Sequence, residues 1–362
     1  MGDFPQPVRF TAGFDGMRLA YTVSGRGHPL VRVPIWLSHV EDDRESPVMR
    51  HLVAELASRH KLVSYDCRGV GMSERDVTDM SFDACIHDLE AVVEAAGLDT
   101  FALFGLCGAP AVAIGYAVRH PERVSHLVLC GGFCRGRLRR NSTPATVEKA
   151  RVMLELIEQG WGTEELAFRQ VFTSLMVPGG TAEQCRWFTE KMRRATSPKT
   201  AQMMLRLWQE IDVCDLARQV RCPTLVLHAR HDAIVPYDEG KLMASLIPGA
   251  EFVTLDSENH LILEDEPAWP QLVAELRRFL PAPHGVEDPE TGDGFDDLTD
   301  REREVLELIA RGLRNEDIAR QLAITSKTVR NHITSIFGKL DASTRAQAIV
   351  RAREVGFGFA TQ

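Results

Sequence analysis

The chain has 362 residues, of which 44% are hydrophobic and 26% charged, and a formal net charge of −9. That length exceeds one ordinary domain of about 100–200 residues and points to a large domain beside a small one. The balance of apolar and charged residues excludes a disordered chain, and with no run of about 18 apolar residues a spanning helix is excluded too.

The opening stretch, "MGDFPQPVRF", lacks the basic-then-apolar pattern of a secretory leader, so a cytoplasmic location is expected. The eight cysteines are Cys67, Cys85, Cys107, Cys130, Cys134, Cys185, Cys214 and Cys222, and none forms a CxxC pair. Their spacing suggests no zinc site, and in a reducing compartment most act as small buried residues. Neither a metal nor a cofactor is expected.

Next comes "VRFTAGFDGMRLAYTVSGRG", two alternating runs around turn residues, which predicts an antiparallel hairpin at one sheet edge. The short apolar runs "PLVRVPIW", "HKLVSYD", "FALFGL", "VSHLVLC", "CPTLVLHA" and "EFVTLD" predict strands. Between and after them, "SPVMRHLVAELASRH", "SFDACIHDLEAVVEAAG", "APAVAIGYAVRH" and "EPAWPQLVAELRRFL" predict helices. Strands alternating with helices imply an α/β domain whose mainly parallel sheet is covered on both faces.

At "FGLCGAP" a predicted strand meets a helix of small residues, and Cys107 lies at the join. Small residues at Gly105 and Ala109 suit a sharp strand-to-helix turn that presents a nucleophile. Gly108 leaves its N–H free for a developing oxyanion, at a helix N-terminus whose dipole also favours a thiolate. Further on, "LVLHARHDAIVP" places Asp232 just past a strand, and "LDSENHLILEDEP" places His260 just past the next. The chain order is therefore nucleophile, acid, base. In that arrangement Asp232 orients the imidazole of His260, and His260 draws the proton from Cys107. His228 and His231 are rivals for neither role.

Residues from about 5 to 282 resemble the α/β-hydrolase superfamily, on "FGLCGAP", "YDCRGVGMSER", "ARHDAIVP" and "ENH". In the second piece Asp66, Arg68, Gly69, Gly71 and Ser73 match the D-x-R-G-x-G-x-S turn after the family's fourth strand. The resemblance implies a helical cap between the sixth and seventh core strands, at about residues 136–215. The helical stretches "ARVMLELIEQGW", "LAFRQVFTSLMV", "CRWFTEKMRRA" and "AQMMLRLWQEI" fit it. Trp161, Met176, Trp187, Met203, Met204 and Trp208 are the candidate pocket lining beneath that cap. The chain departs from the family pattern in two ways. The nucleophile position holds a cysteine, as in a minority resembling dienelactone hydrolases, and the His-Gly turn after the third strand is replaced by "VPIWLSHVEDD". The backbone N–H of Trp36 is the candidate second oxyanion donor.

From Gly285 to Asp297 the chain reads "GVEDPETGDGFDD", acidic and without an aliphatic repeat, and residues 283–296 are expected to form a flexible linker. The stretch beyond it, 297–362, is rich in arginine. Thr299 and Glu302 form a capping box, Val305, Ile309 and Leu313 recur at helical spacing, and Gly312 sits where a C-terminal cap is expected. "NEDIARQLAI" is a second short helix. "TSKTVRNHITSIFGKL" is a third, with Val329, Ile333, Ile336, Phe337 and Leu340 on one side and Lys327, Asn331 and Thr334 on the other. "TRAQAIVRARE" is a fourth. Two short helices, a tight turn and a helix with an exposed polar face make a helix-turn-helix. On "LTDREREVL", "GLRNEDIARQL", "TSKTVRNHITSIFGKL" and "RAQAI" these residues resemble the LuxR/GerE-type DNA-binding domain. Lys327, Thr328, Arg330, Asn331 and His332 then belong to the recognition helix, double-stranded DNA is the partner, and a homodimer is expected.

A hydrolase body joined to a DNA reader resembles a one-component transcription factor whose body senses a small molecule. The alternative is a thiol-dependent ester or lactone hydrolase with an accessory DNA-binding domain. Whether the Cys107 site turns over, traps a ligand or only binds it stays open from sequence.

Overall fold

A computed structural model describes residues 7–140, 143–281, 298–340, 342, 344–354 and 357–358. The chain divides into two compact units, Met1–Gly285 and Val286–Gln362. The acidic stretch expected as a linker lies outside the described residues.

The first unit is built on an eight-stranded sheet. Its strands are β1 (Arg9–Ala12), β2 (Arg18–Ser24), β3 (Pro29–Val33), β4 (Lys61–Tyr65), β5 (Phe101–Leu106), β6 (Val124–Cys130), β7 (Thr224–Ala229) and β8 (Glu251–Leu255). They lie in the order β1-β2-β4-β3-β5-β6-β7-β8. The opening hairpin is antiparallel and joins β4 antiparallel, while every pair from β4 to β8 is parallel. Central strands covered on both faces need apolar residues at every position, and β5 and β7 are buried throughout. Helices Arg50–Arg59, Phe82–Ala95, Ala109–Arg119, Tyr237–Leu246 and Ala268–Phe279 alternate with the strands. This is the α/β-hydrolase fold.

The helix after β5 is the most closely packed of these. "APAVAIGYAV" brings small side chains against the sheet, and a Cβ at Gly115 would sit 2.6 Å from Ile86 and from Phe82. Four helices, Pro144–Gly160, Ala167–Met176, Ala182–Ala195 and Pro198–Glu210, lie between β6 and β7 and form the helical insertion. Thr143, Thr181 and Ser197 cap three of them by accepting from the backbone N–H three residues on. Arg169 is fully buried among them and donates to the carbonyls of Gly160, Trp161, Thr163 and Thr189 at 2.6–3.3 Å. Sequence periodicity does not reveal such a buried arginine, because an arginine at that position reads as surface.

The insertion is tied to the sheet unit by charge and by backbone. Lys191, buried, pairs with Asp43, which also accepts from Arg32 at 2.6 Å. The N–H groups of His260 and Leu261 donate to the Met176 carbonyl at 3.0 and 3.1 Å, so the loop carrying His260 is pinned to the end of an insertion helix.

The D-x-R-G-x-G-x-S turn acts as a clip. Arg68 makes a two-pronged ion pair with Asp88 at 2.8 and 2.6 Å and reaches Asp15 at 2.9 Å. The Asp66 carboxylate accepts from Val40 N–H at 3.2 Å and Met72 N–H at 2.9 Å. Gly71, at φ +60°, leaves it room, because a Cβ there would fall 2.0 Å from the carboxylate. Burial pushes the Asp66 carboxyl up, and the two N–H donors only partly offset this. Through Val40, the clip holds the loop that follows β3 and carries Trp36.

The second unit contains helices Asp300–Ala310, Asn315–Gln321, Ser326–Lys339 and Arg345–Glu354. Leu306, Ile309, Ile318, Val329, Ile336 and Leu340 form its core, with Ile333 and Phe337 packed partly against them. Gly312 ends the first helix at φ +87°, where a side chain would be strained. The predicted capping box is present, with Thr299 and Glu302 serving each other's backbone N–H.

Candidate functional site

Cys107 stands between the last residue of β5 and the helix Ala109–Arg119, at φ 65°. Its N–H donates to Cys130 O at 3.1 Å. The turn is tight enough that a Cβ at Gly105 would lie 2.9 Å from Pro110 N. Asp232 follows β7, and His260 follows β8. His260 Nδ1 donates to Asp232 Oδ2 at 2.6 Å, and both side chains are fully buried. Asp232 Oδ1 accepts from the N–H groups of Ile234 and Val235 at 2.8 and 3.0 Å, which fixes the carboxylate plane. The Cys107 side chain interacts with the His260 ring, and among the described residues Nε2 of that ring has no hydrogen bond of ordinary geometry.

The electrostatics follow from burial and pairing. Burial alone disfavours a charged imidazole. The Asp232 carboxylate and then Cys107 outweigh it, so His260 holds its proton well above the ordinary histidine range. Burial likewise pushes Asp232 up, but the pair with His260 and the Val235 N–H bring it below the usual carboxylate range. His228, behind Asp232, is a different kind of group. Its Nε2 donates to Val235 O at 3.0 Å, and burial lowers its proton affinity, so it packs as a neutral ring.

A cavity with about 700 Å³ of empty space, part of it open to solvent, borders Cys107 and Gly108. Trp36, Met176 and Trp208 are on its wall, with Phe133, Phe172 and Leu205. The Trp208 ring lies over Gly108, 2.9 Å from where a Cβ would be. The indole N–H groups of Trp36 and Trp208 are both buried and make no hydrogen bond among the described residues.

The other four residues expected in the lining are not on that wall. Trp161 is buried inside the insertion, where it donates to Thr196 O at 3.2 Å and packs on Trp36, ring centroids 5.4 Å apart. Trp187 packs against Lys191 and Arg194 of its own helix. Met204 is buried and Met203 half-buried in the packing of the insertion. A helical stripe identifies a buried face but not which neighbour covers it. Conversely, Arg137, Arg140, Gln209, Ile234 and Val235 line the cavity and were not anticipated. The run "RGRLRR", which begins at Arg135 shortly after β6, was the signal for the two arginines.

In the second unit, Lys327, Thr328, Arg330, Asn331 and His332 all lie on the helix Ser326–Lys339. Lys327, Arg330 and Asn331 are exposed, and Thr328 and His332 are half-exposed. Thr328 N–H and hydroxyl both meet the Thr325 hydroxyl, at 3.1 and 2.8 Å, so Thr328 belongs to the helix cap as well as to its surface. A gap sequence reading left is Glu302, whose carboxylate accepts from Ser335 and Lys339, each at 2.6 Å. It thereby joins the first helix to the one bearing the polar face.

Comparison with known proteins agrees with both units. Residues 43–267 match the family described as serine aminopeptidase, S33, and residues 296–352 match bacterial regulatory proteins of the luxR family. A pyrrolizixenacetamide deacetylase from Xenorhabdus hominickii is 25% identical over 263 residues, 73% of this chain and 94% of that one. The transcriptional regulatory protein DesR of Bacillus subtilis is 52% identical over 60 residues, 17% of this chain and 30% of that protein. An esterase from Exiguobacterium antarcticum shares the fold, with TM-score 0.65 at 19% identity, across 75% of this chain and 98% of its own. A hydrolase-fold unit and a luxR-type helix-turn-helix thus share one chain, an arrangement that supports a DNA-binding regulator. Among the described residues no helix is long and apolar enough to cross a membrane.

Proposed function

The chain belongs to the serine aminopeptidase S33 family, and we propose that it is a one-component transcriptional regulator whose hydrolase-fold unit receives a small molecule. The observation that carries this reading is the cavity over Cys107 and the buried Asp232–His260 pair, in a chain that also holds a luxR-type helix-turn-helix. In this reading the ligand enters beneath the insertion, residues 283–296 tether the two units, and the regulator works as a homodimer on double-stranded DNA. Ligand changes DNA affinity only to the extent that it binds two states of the chain differently.

The same site supports a second reading, a thiol-dependent ester or lactone hydrolase. The Cys107 sulfur adds to an acyl carbon, and the C–O bond to the leaving alkoxide breaks. His260 gives that alkoxide its proton, and water then releases the acid from the thioester. Gly108 and Trp36 N–H would hold the oxyanion. The 2.6 Å bond between His260 and Asp232 favours this reading, because it orients the ring for proton transfer.

Intact-protein mass spectrometry separates the two. Wild type and Cys107→Ser are incubated with a panel of activated esters and lactones while product release and adduct mass are followed together. For the regulator we expect a stable adduct or tight binding, without repeated turnover, and a change in DNA affinity. Many turnovers with DNA affinity unmoved would make the chain an enzyme and set the regulator reading aside.

A further inference from the structure

The wall of the cavity over Cys107 is mostly apolar. Among the described residues its charged members are Arg137 and Arg140, and no aspartate or glutamate lines it. Arg140 is already engaged. It donates to Arg135 O at 3.1 Å, faces Glu239 at 3.7 Å and packs over the Phe133 ring at 5.2 Å. Glu239 is in turn held by Arg135 through two contacts of 3.2 Å, so one carboxylate serves two guanidinium groups. Arg137 is half-buried and, among the described residues, makes no hydrogen bond and no ion pair. Burial weakens its hold on its proton, and no neighbouring acid restores it.

A partly desolvated guanidinium without a counter-ion is costly, and a carboxylate that meets it two-pronged removes the cost. Arginine in an apolar pocket is therefore a positioning device for an anion. We propose that the cavity is built for a carboxylate-bearing ligand, with an apolar body over Cys107 and its anionic group held by Arg137, with Arg140 adjacent. This rests on the reading that the cavity is a ligand site, and it narrows the ligand class from any small ester or lactone to an organic acid or an ester that carries a second, free carboxylate. Because Arg137 makes no hydrogen bond or ion pair among the described residues, its replacement removes no polar contact within the fold.

The test uses the full chain and two matched pairs of probes, octanoate with octanamide and 4-phenylbutanoate with 4-phenylbutanamide. Binding is followed by calorimetry and by tryptophan fluorescence, since Trp36 and Trp208 are on the cavity wall. Wild type is expected to prefer each acid over its amide roughly tenfold to hundredfold. Arg137→Gln is expected to erase most of that preference, and Arg137→Lys to keep part of it. Equal binding of acid and amide, a preference that survives Arg137→Gln, or no binding of either acid overturns the proposal. Each titration is repeated with a duplex enriched from a random library. An acid preference that leaves DNA affinity unmoved keeps the anion site and removes the sensing reading. Amides that bind as well as acids and shift DNA affinity keep the sensing reading and remove the anion site.

Discussion

At φ 65°, Cys107 occupies the left-handed region that a side chain enters at a cost of about 1–2 kcal/mol. Its neighbours hold it there. Pro110 follows closely, a Cβ at Gly132 would meet the Pro110 ring at 2.3 Å, and the Cys107 N–H is tied to Cys130 O. Strain of this kind persists where the surroundings over-determine it, and here it presents a sulfur to a cavity. The idea has a clean comparison. Cys107→Ala and Cys107→Gly both delete the thiol, but only glycine adopts this backbone freely. Cys107→Gly is expected to be more stable than Cys107→Ala by about 1 kcal/mol, read from denaturant midpoints of the full chain. Equal midpoints, or alanine the more stable, would show that the turn stores no strain.

Between elements, Glu302 does the joining in the second unit. Its carboxylate accepts from Thr299 N–H, Ser335 and Lys339, and it is buried. The Lys339 ammonium and the Ser335 hydroxyl hold it down to about 2, against a small opposing effect of burial. A carboxylate lowered on folding adds stability above its unfolded value of about 4.3, and that stability is lost as pH falls toward 2. Discounted for screening, the effect is on the order of 1–3 kcal/mol. Glu302→Gln should therefore reduce hydrogen-exchange protection over residues 300–339 at neutral pH and flatten its decline in acid. Unchanged protection would reduce Glu302 to a simple helix cap. That cap was legible in the sequence, because its partners lie three residues apart; the contacts to Ser335 and Lys339 were not, because they cross between helices. The same contrast runs through the chain. The strand and helix order followed from local periodicity, and the elbow, Asp232 and His260 followed from residue types at strand ends. The run "PLVRVPIW" reads as one strand, yet β3 stops at Val33. Ser38 N–H turns back to Ile35 O, and Asp66, 26 residues away, takes the Val40 N–H. Of the anticipated lining, Met176 and Trp208 face the cavity and the other four pack elsewhere, because a helical stripe does not show which neighbour covers it.

For the whole molecule, the proposed reading makes a demand that neither unit makes alone. If a ligand over Cys107 changes DNA affinity by some factor, DNA must change ligand affinity by the same factor, since both are equilibrium affinities. Typical coupling is about 5- to 150-fold. Lys327 provides the control, because it is exposed on the helix Ser326–Lys339 and lies in the unit that does not hold the cavity. Lys327→Ala is expected to weaken DNA binding and to lower the slope of log affinity against log salt by about 1, as for one lost phosphate contact. Ligand affinity without DNA should be unchanged. In wild type, the ratio of ligand affinities with and without saturating duplex should equal the ratio of DNA affinities with and without ligand. In the variant both ratios should keep their wild-type value, because a lost phosphate contact weakens both conformational states alike. A variant that shifts ligand affinity in the absence of DNA would place Lys327 in the coupling itself, and a wild-type ratio of one on both sides would leave the cavity and the helix-turn-helix as independent functions of one chain.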